Sequence, residues 1–297
     1  MTFEEIKSEL LALAKVPAQG GKCSEYERAS NANDMGELIA CVRDNFIWCC
    51  NHEVLTVDVI TRWGLKSYGI TANEDVHDGF CLACGNTTVS ASGRSTVNAS
   101  DNSRVNACDS STVSAFDNSR VNACDSSAVY AYGSSGVHAQ DNSTVNASGN
   151  SRVNASGSSE VSASGSSRVS ASDNSTVSAS GRSTVNASDN SRVNASGSST
   201  VSAFDNSTVN ACDNSTVNAS GNSTVNASGS SRVNASGSSR VHAHGRSIVN
   251  ASGSSTVNAT GEVYIRSTGT PTCKVEERAV LHLPDRVVTQ FGEIIFK

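Results

Sequence analysis

Valine and alanine recur with an eight-residue period through most of the chain. Valine occupies every eighth position from Val89 to Val257, 22 times, and alanine follows two residues later from Ala91 to Ala259. In each octapeptide the repeated Ser, Val, Ala and Gly/Asp positions are two residues apart, with Thr, Arg, Asn or Ser between them. Such alternation is typical of a β-strand with one buried face. Each octapeptide therefore predicts a short strand and a tight turn at Gly or Asp.

A single octapeptide cannot fold alone. Burial of one Val and one Ala contributes roughly 3 kcal/mol, whereas ordering eight residues costs on the order of 8–16 kcal/mol of backbone entropy. Stacked repeats, with each strand hydrogen-bonded to the strands above and below, remove this deficit. The pattern therefore predicts a solenoid whose repeats depend on one another.

The residue before each valine indicates that two octapeptides form one coil. Taken in steps of 16 from Thr88, this position holds five Arg, whereas the alternate series from Thr96 holds seven Thr. Cys108 and Cys124 are also 16 residues apart. We therefore predict a mainly β protein: a two-faced β-solenoid (β-helix) of about eleven 16-residue coils, with a small N-terminal α-helical domain and a C-terminal β-cap.

The octapeptide resembles the repeat of bacterial ice-nucleation proteins, Ala-Gly-Tyr-Gly-Ser-Thr-x-Thr, in which two repeats form a 16-residue coil. Segments 147–154 (Ala-Ser-Gly-Asn-Ser-Arg-Val-Asn) and 219–226 (Ala-Ser-Gly-Asn-Ser-Thr-Val-Asn) align with it in register. The resemblance covers residues 87–261 and implies a β-solenoid that orders water on a Thr-x-Thr ladder. The chain departs from the family in two ways: Thr-Val-Asn, Thr-Val-Ser or Arg-Val-Asn replaces Thr-x-Thr, and Gly or Asp replaces Tyr.

Three segments follow from these patterns. Residues 1–72 contain both tryptophans and three amphipathic stretches with helix-capping residues, beginning at Thr2, Asp34 and Thr56, and we predict a helical N-terminal domain or cap. Residues 73–261 form the octapeptide-repeat β-solenoid. Residues 262–297 are apolar and strand-rich, and we predict a β-cap that covers the end of the solenoid. The caps also offer a route to a homo-oligomer.

Charge is concentrated at the N-terminal end. Residues 1–85 hold 7 basic and 13 acidic side chains, a net charge of −6, whereas residues 86–261 hold 10 of each. A neutral repeat region lacks the excess of Lys and Arg that neutralises phosphates, so we expect no duplex nucleic acid as partner. The acidic helical domain instead favours an unidentified protein partner.

The sequence predicts a cytoplasmic protein. It opens without the basic and apolar pattern of a signal peptide, and no apolar run approaches the length of a membrane span. We therefore expect the ten cysteines to be reduced. Cys108 and Cys124 should stack on adjacent coils, where a disulfide is sterically possible, but in the cytoplasm a ladder of thiols is favoured.

No pattern of catalytic residues is recognisable, and we expect a protein that is not an enzyme and has no cofactor. The Asp residues at the turn position suggest calcium, but Gly replaces them freely, which favours a turn role. No metal is expected. A weak alternative is a zinc site built from Cys49, Cys50, His52, Cys81 and Cys84, although the repeat register alone explains the Cys81–Cys84 spacing.

Two sets of residues are candidates for binding. Aromatic and polar side chains interrupt the Ser/Asn surface within about two coils, and with the two tryptophans they form the first set: Phe116, Tyr130, Tyr132, His138, Gln140, Trp48 and Trp63. Drift in a tolerant repeat explains the interruptions equally well. The second set is the threonine row of the ice-binding alternative: Thr96, Thr112, Thr144, Thr176, Thr208, Thr224 and Thr256.

These observations support two functional hypotheses. The first is a non-enzymatic scaffold or protein-binding β-solenoid, in which the N-terminal helical domain contacts the partner, for example as an inhibitor or adaptor encoded by a bacterium, phage or mobile element. The second is an ice- or ordered-water-binding protein that uses the Thr-x-Asn/Ser face.

Overall fold

The structure, a computed structural model, describes residues 1–15, 24–283, 286–289 and 292–295. It is mainly β, with a β-solenoid of about 13 coils and five α-helices in its N-terminal region. The predicted fold class is confirmed, with slightly more coils than the predicted eleven. Degenerate octapeptides at both ends also pair as strands, because backbone hydrogen bonds do not require the consensus side chains. The chain divides into two compact units, Met1–Tyr130 and Ala131–Lys297, which are described in turn.

The described residues of the first unit begin with five α-helices, and the predicted helix starts are confirmed. The Thr2 backbone N–H donates to Glu5 at 2.8 Å, and the Asp34 and Thr56 side chains accept hydrogen bonds from the backbone N–H groups of Glu37 and Val59. The second predicted helix is divided at Asn45, whose side chain donates to the Cys41 carbonyl. The helices are α1 (Phe3–Lys15), α2 (Ser24–Ser30), α3 (Met35–Asp44), α4 (Phe46–Asn51) and α5 (Val57–Arg62), followed by a 3-10 helix (Leu65–Tyr68).

Strands of the first unit belong to two parallel sheets, one of odd-numbered and one of even-numbered strands. Cys81 pairs with Val97 and Ala83 with Ala99, so the first degenerate octapeptide continues the register of the repeats. The strands are β1 (Ile70–Ala72), β2 (Val76–His77), β3 (Phe80–Ala83), β4 (Thr88–Ser92), β5 (Thr96–Ala99), β6 (Arg104–Ala107), β7 (Thr112–Ala115), β8 (Arg120–Ala123) and β9 (Ala128–Ala131).

The helices pack against the first odd-numbered strands through a shared apolar core. The Phe46 ring of α4 lies 5.2 Å from the Phe80 ring of β3, centroid to centroid, and Leu38, Leu55 and Leu65 are fully buried in the same cluster. The outward-pointing residue between Val (or Cys81) and Ala is consequently buried in β3, β5 and β7 (Leu82, Asn98 and Ser114), although the same position is exposed in most later strands. Helical packing therefore covers one face of the solenoid at its beginning.

The second unit repeats the two parallel sheets with an offset of 16 residues between paired strands. Val145 pairs with Val161 on the odd-numbered strands and Val153 with Val169 on the even-numbered strands, as the 16-residue coil predicts. The strands are β10 (Gly136–Ala139), β11 (Thr144–Ala147), β12 (Arg152–Ala155), β13 (Glu160–Ala163), β14 (Arg168–Ala171), β15 (Thr176–Ala179), β16 (Thr184–Ala187), β17 (Arg192–Ala195), β18 (Thr200–Ala203), β19 (Thr208–Ala211), β20 (Thr216–Ala219), β21 (Thr224–Ala227), β22 (Arg232–Ala235), β23 (Arg240–Ala243), β24 (Ile248–Ala251), β25 (Thr256–Ala259), β26 (Tyr264–Ser267), β27 (Thr272–Val275), β28 (Val280–His282), β29 (Arg286–Thr289) and β30 (Gly292–Ile295).

The even-numbered sheet of the second unit ends in antiparallel strands. β28 still pairs parallel with β26, but β29 runs antiparallel to β28 and β30 antiparallel to β29. This change of direction supplies partners for the backbone of β28, as expected for a β-cap. The predicted boundaries at residues 72/73 and 261/262 remain predictions.

Serine, valine and alanine of each octapeptide all point inward. Val177 is fully buried and Ala179 nearly so, and the repeated serines are buried with their hydroxyls turned back to the preceding corner, as when Ser175 Oγ donates to the Ser172 carbonyl at 2.7 Å. The corner residues Gly165 and Asp173 have positive φ angles of 66° and 59°. The Asp173 carboxylate also accepts the Gly157 backbone N–H of the previous coil at 3.1 Å. Aspartate at this position therefore performs the predicted turn role.

Cys108 and Cys124 are joined by a disulfide bond, which corrects our expectation of a thiol ladder. The two residues occupy the same position on adjacent coils, and their Cα atoms lie 5.0 Å apart, within the usual range for a disulfide. The cytoplasmic location remains a prediction. None of the helices in the described part of the chain has the length and apolar character needed to cross a membrane.

Candidate functional site

The first unit contains a groove of about 780 Å³ beside the helices. One wall is formed by the end of α4 and the start of α5. The other is formed by the outer surface of β3 and β5 and by the turns that follow β3, β5 and β7. Its polar lining includes four carboxylates, from Glu53, Asp58, Asp101 and Asp117. The remaining lining residues are Cys50, Asn51, Leu55, Thr56, Val57, Leu82, Cys84, Asn98, Ser100 and Phe116.

The loop between α4 and α5 places two of the carboxylates on the helical wall. The Cys49 carbonyl accepts hydrogen bonds from the backbone N–H groups of Val54 and Leu55, which closes the loop. Glu53 is held at a φ of 57°, a left-handed conformation that non-glycine residues rarely adopt. Its side chain is exposed at the groove. Asp58 follows in the first turn of α5.

Turns of the solenoid place the other two carboxylates on the opposite wall. Asp101 and Asp117 occupy the corner position of successive coils, with φ angles of 58° and 56°. The Asp101 carboxylate accepts the Gly85 backbone N–H at 2.9 Å, and the Asp117 carboxylate accepts the Asp101 N–H at 3.5 Å. Both acidic groups thus repeat at the spacing of the coils along one wall.

The charge of the groove is unbalanced. The described residues that line it include four carboxylates and neither lysine nor arginine. Arg62 pairs with Asp58 at 3.3 Å, but the same guanidinium also binds Glu9 at 2.7 Å. Among the described residues, Glu53, Asp101 and Asp117 have no ion-pair partner within 4.0 Å. The groove therefore favours a positively charged ligand.

Asn98 lies at the junction of the two walls. It is only 2% exposed because α4 covers it, and its Nδ2 donates to the Asn51 side-chain oxygen at 3.0 Å. Its own Oδ1 is buried, and the Asn98 side chain also interacts with the neighbouring Cys50 thiol. Nearby, burial raises the pKa of the Cys50 thiol well above its usual range, so this thiol is neutral.

The predicted aromatic set is distributed over both sheets. Phe116 is half-buried at the groove, after β7, whereas Tyr130 and Tyr132 lie on and after β9 with exposed fractions of 39% and 40%. His138 and Gln140 belong to β10 and the turn that follows, on an even-numbered strand, and their side-chain nitrogens are 3.4 Å apart.

The two tryptophans have different environments. Trp63 is 5% exposed, and its indole N–H donates to Glu9 at 3.0 Å, so it contributes to the helical core and offers little surface. The two hydrogen bonds from Arg62 and Trp63 lower the pKa of the Glu9 carboxyl. Trp48 is half-buried and stacks on His52 with ring centroids 4.4 Å apart.

The predicted threonine row is interrupted on the odd-numbered strands. Thr208 and Thr224 are direct neighbours, but Thr176 lies between Glu160 and Arg192, and Thr224 is followed by Arg240. A longer run of adjacent threonines lies on the even-numbered strands, at Thr184, Thr200 and Thr216. In the first unit, Thr96 and Thr112 are half-buried.

The residues of the zinc alternative have other partners or are enclosed. The Cys81 thiol donates to the Glu74 carbonyl at 3.2 Å, Cys84 Sγ accepts from Asn73 at 3.7 Å, and His52 Nδ1 lies 2.9 Å from the Trp48 carbonyl. Cys49 is buried and Cys50 half-buried. In the described part of the chain, three ligand atoms within 4.8 Å of one another occur at Cys108, Cys124 and Asp125, where both thiols form the disulfide.

A second groove of about 710 Å³ lies on the odd-numbered strands of the second unit, between Tyr132 and His244. Asn, Ser and Ala line it, and it exists because the side chain after each alanine is small. Asparagines along it are hydrogen-bonded to one another, as Asn210 is to Asn194 at 2.9 Å. The serine hydroxyls are directed to backbone carbonyls, as Ser164 is to Ala147. Many polar side chains that line this groove are therefore already hydrogen-bonded within the protein.

Comparison of the chain with protein-family models, with curated proteins and with solved structures finds no match in any of the three. The functional argument therefore depends on the geometry and charge of the chain itself.

Proposed function

We propose that this protein is a non-enzymatic binding scaffold, in which the N-terminal helical region contacts a protein partner. The groove lined by Glu53, Asp58, Asp101 and Asp117 is the observation that carries the proposal. It combines a concave shape, apolar lining residues such as Val57 and Phe116, and uncompensated negative charge, which together are typical of a surface that selects a partner.

The location of the groove supports this assignment. Most of the solenoid surface is a regular array of small polar side chains, whereas the groove is formed where the helices interrupt that array. Its helical wall is independent of the repeat, so it can carry specificity that identical coils lack. In this proposal the solenoid is a rigid support for the helical region.

The proposal is tested by affinity capture from source cells with the full chain and two charge variants. In the first variant, Glu53→Lys and Asp58→Lys reverse the charge on the helical wall. In the control, Glu160→Lys reverses an exposed charge on β13. We expect the wild type and the control to retain one stoichiometric partner that the double variant loses.

The outcomes separate the role of the helical region from that of the solenoid. A partner that binds all three proteins equally would move the contact away from the groove. A partner lost only with Glu160→Lys would assign binding to the odd-numbered face of the solenoid. Circular dichroism of each variant shows whether the fold is retained.

Ordered-water binding is a second candidate function. The adjacent threonines Thr184, Thr200 and Thr216, together with the resemblance of the octapeptide to ice-nucleation repeats, favour it. A thermal hysteresis assay with the wild type and with Thr200→Lys tests this candidate. Ice-crystal shaping by the wild type that is absent from the variant would support it, and unshaped crystals with both would remove it.

A further inference from the structure

We propose that Cys108 and Cys124, once reduced, bind a thiophilic divalent metal ion of the zinc class together with Asp125. The two cysteines form a disulfide in the structure, and reduction frees both sulfurs for coordination. This inference goes beyond the proposed function and does not depend on a partner protein. Three observations carry it: the proximity of three ligand groups, the conformation of Asp125, and the accessibility of the pair.

Three potential ligand atoms converge at this point of the first unit. Cys108 Sγ, Cys124 Sγ and a carboxylate oxygen of Asp125 all lie within 4.8 Å of one another. The Cα atoms of the two cysteines are 5.0 Å apart, because both residues follow the paired alanines of β6 and β8. Two sulfurs bound to one tetrahedral zinc ion at about 2.3 Å each are about 3.8 Å apart. Side-chain rotation provides that separation after reduction, so the coils do not need to move.

Asp125 is held beside the cysteine pair by the conformation of its corner. Its φ is 56°, and its carboxylate accepts the Asp109 backbone N–H of the preceding coil at 3.2 Å. Because Asp109 directly follows Cys108, this hydrogen bond brings the carboxylate of one coil to the cysteine of the other. A carboxylate has about four lone-pair positions and can therefore accept hydrogen bonds and coordinate a metal ion at the same time.

The pair is accessible, and another coil of the solenoid provides a comparison. Both cysteines are half-buried and Asp125 is exposed, so a reductant and a metal ion can reach them. Cys212 is also followed by an aspartate, Asp213, but the equivalent positions on the adjacent coils are Ser196 and Ser228. Cys212 is therefore a matched single cysteine that lacks the second thiol.

The ligand set selects a soft or borderline metal ion. Thiolates favour zinc and other thiophilic ions, whereas magnesium and calcium prefer oxygen ligands. Two thiolates, one carboxylate and one water molecule make up the tetrahedral coordination that zinc adopts.

Metal binding follows reduction in two balanced steps. A dithiol transfers two electrons and two protons to the disulfide, which yields two thiols, and is itself oxidised to a disulfide. The divalent ion then displaces one proton from each thiol, so two protons are released for each ion bound. Exchange with an oxidised dithiol reverses both steps and releases the ion.

Titration of the full chain with Zn²⁺ tests the inference. Protein reduced with a phosphine is compared by isothermal titration calorimetry with the disulfide form, whose Cys108–Cys124 bond is verified by peptide mapping. We expect the reduced protein to bind one more zinc ion per chain than the disulfide form. Equal stoichiometry in the two forms would overturn the inference.

Three variants assign the additional zinc ion to this site. Serine, the usual residue at the cysteine position, should abolish its binding when it replaces both Cys108 and Cys124, whereas Cys212→Ser should retain it. Asp125→Gly introduces the residue that Gly157 provides at the same corner of a later coil and should weaken binding at least about tenfold. Zinc binding retained without both cysteines, equal loss in Cys212→Ser, or unchanged affinity in Asp125→Gly would overturn the inference.

Protection from alkylation locates the ion directly. The reduced protein is treated with N-ethylmaleimide with and without Zn²⁺, and the modified peptides are quantified by mass spectrometry. Zinc should slow alkylation of Cys108 and Cys124 at least about tenfold and leave the rate at Cys212 unchanged. Equal protection of Cys212 would show that zinc binds thiols without selection and would overturn the inference.

Discussion

Asn98 and Asn51 join the solenoid to its helical region. The Asn98 Nδ2 of β5 donates to the Asn51 Oδ1 at the end of α4 over 3.0 Å. The same asparagine position is exposed on most later strands of the repeat. Packing of α4 thus buries a residue that is on the surface in most octapeptides, and this hydrogen bond links the helical region to the solenoid at that point.

Removal of this acceptor should loosen the helical region. Asn51→Ala leaves Asn98 Nδ2 buried without a partner, and we expect a loss of about 1–3 kcal/mol in the free energy of unfolding. Both tryptophans lie in the helical region, so urea denaturation followed by tryptophan fluorescence reports on it directly. The control is Asn122→Ser, which removes an exposed hydrogen bond to Asn106 and should change stability by less than about 0.5 kcal/mol. Equal losses in both variants would contradict the special role of Asn98.

The inward direction of the repeated valine is tested by a neighbouring pair. Val177 is fully buried, whereas Thr176 beside it points outward. Val177→Asp places an unpaired carboxylate in the core and should cost several kcal/mol, whereas Thr176→Ser should stay within about 0.5 kcal/mol. Thermal melting followed by circular dichroism compares the two. Melting curves that coincide would show that valine does not line the core.

The turn position should accept aspartate but reject a β-branched side chain. Gly165 has a φ of 66°, and a Cβ added there would lie 3.0 Å from the Gly149 carbonyl oxygen. Asp213 occupies the equivalent position of a later coil with a φ of 57°. Asp adopts this conformation more readily than Val, so Gly165→Asp should be tolerated and Gly165→Val should cost about 1–2 kcal/mol more. Chemical denaturation of the two variants measures the difference.

Cys108 and Cys124 should be recovered as a linked pair. Non-reducing peptide mapping by mass spectrometry is expected to give one cross-linked peptide containing both residues. Replacement of both by serine, the usual residue at this position, should lower stability by at most about 3 kcal/mol, the value for a loop of this length. Separate alkylated peptides from protein purified without reductant would instead support the thiol ladder. That result would agree with a cytoplasmic location.

The repeat region was predictable from sequence because its information is local and redundant. The two-residue alternation of apolar and polar residues predicted which side chains point inward. The recurrence of similar residues every 16 positions predicted which strands pair, as Val145 does with Val161. The predicted count of eleven coils came from the 22 consensus valines alone, whereas Cys81 and Ile265 also hold core positions in strands that pair with the repeats. Backbone pairing tolerates such departures from the consensus.

The groove was not predictable from sequence because it depends on the placement of the helices. Asn98 is identical in type to many exposed asparagines of the repeat, and only the packing of α4 buries it. Glu53 reaches the groove through a left-handed residue in a loop that carries no repeat signal. Conversely, Trp63 was a candidate contact in sequence and lies in the core.

The sequence by itself determined the β-solenoid, the 16-residue coil and the helical N-terminal region. In the repeats, a strict period of valine and alanine is buried only when successive strands stack into coils. Only the tertiary structure decided which residues of the repeat are buried by the helices and which acidic residues of the turns lie beside them. That choice depends on contacts between residues far apart in the chain, such as Asn51 and Asn98, and no local pattern encodes them.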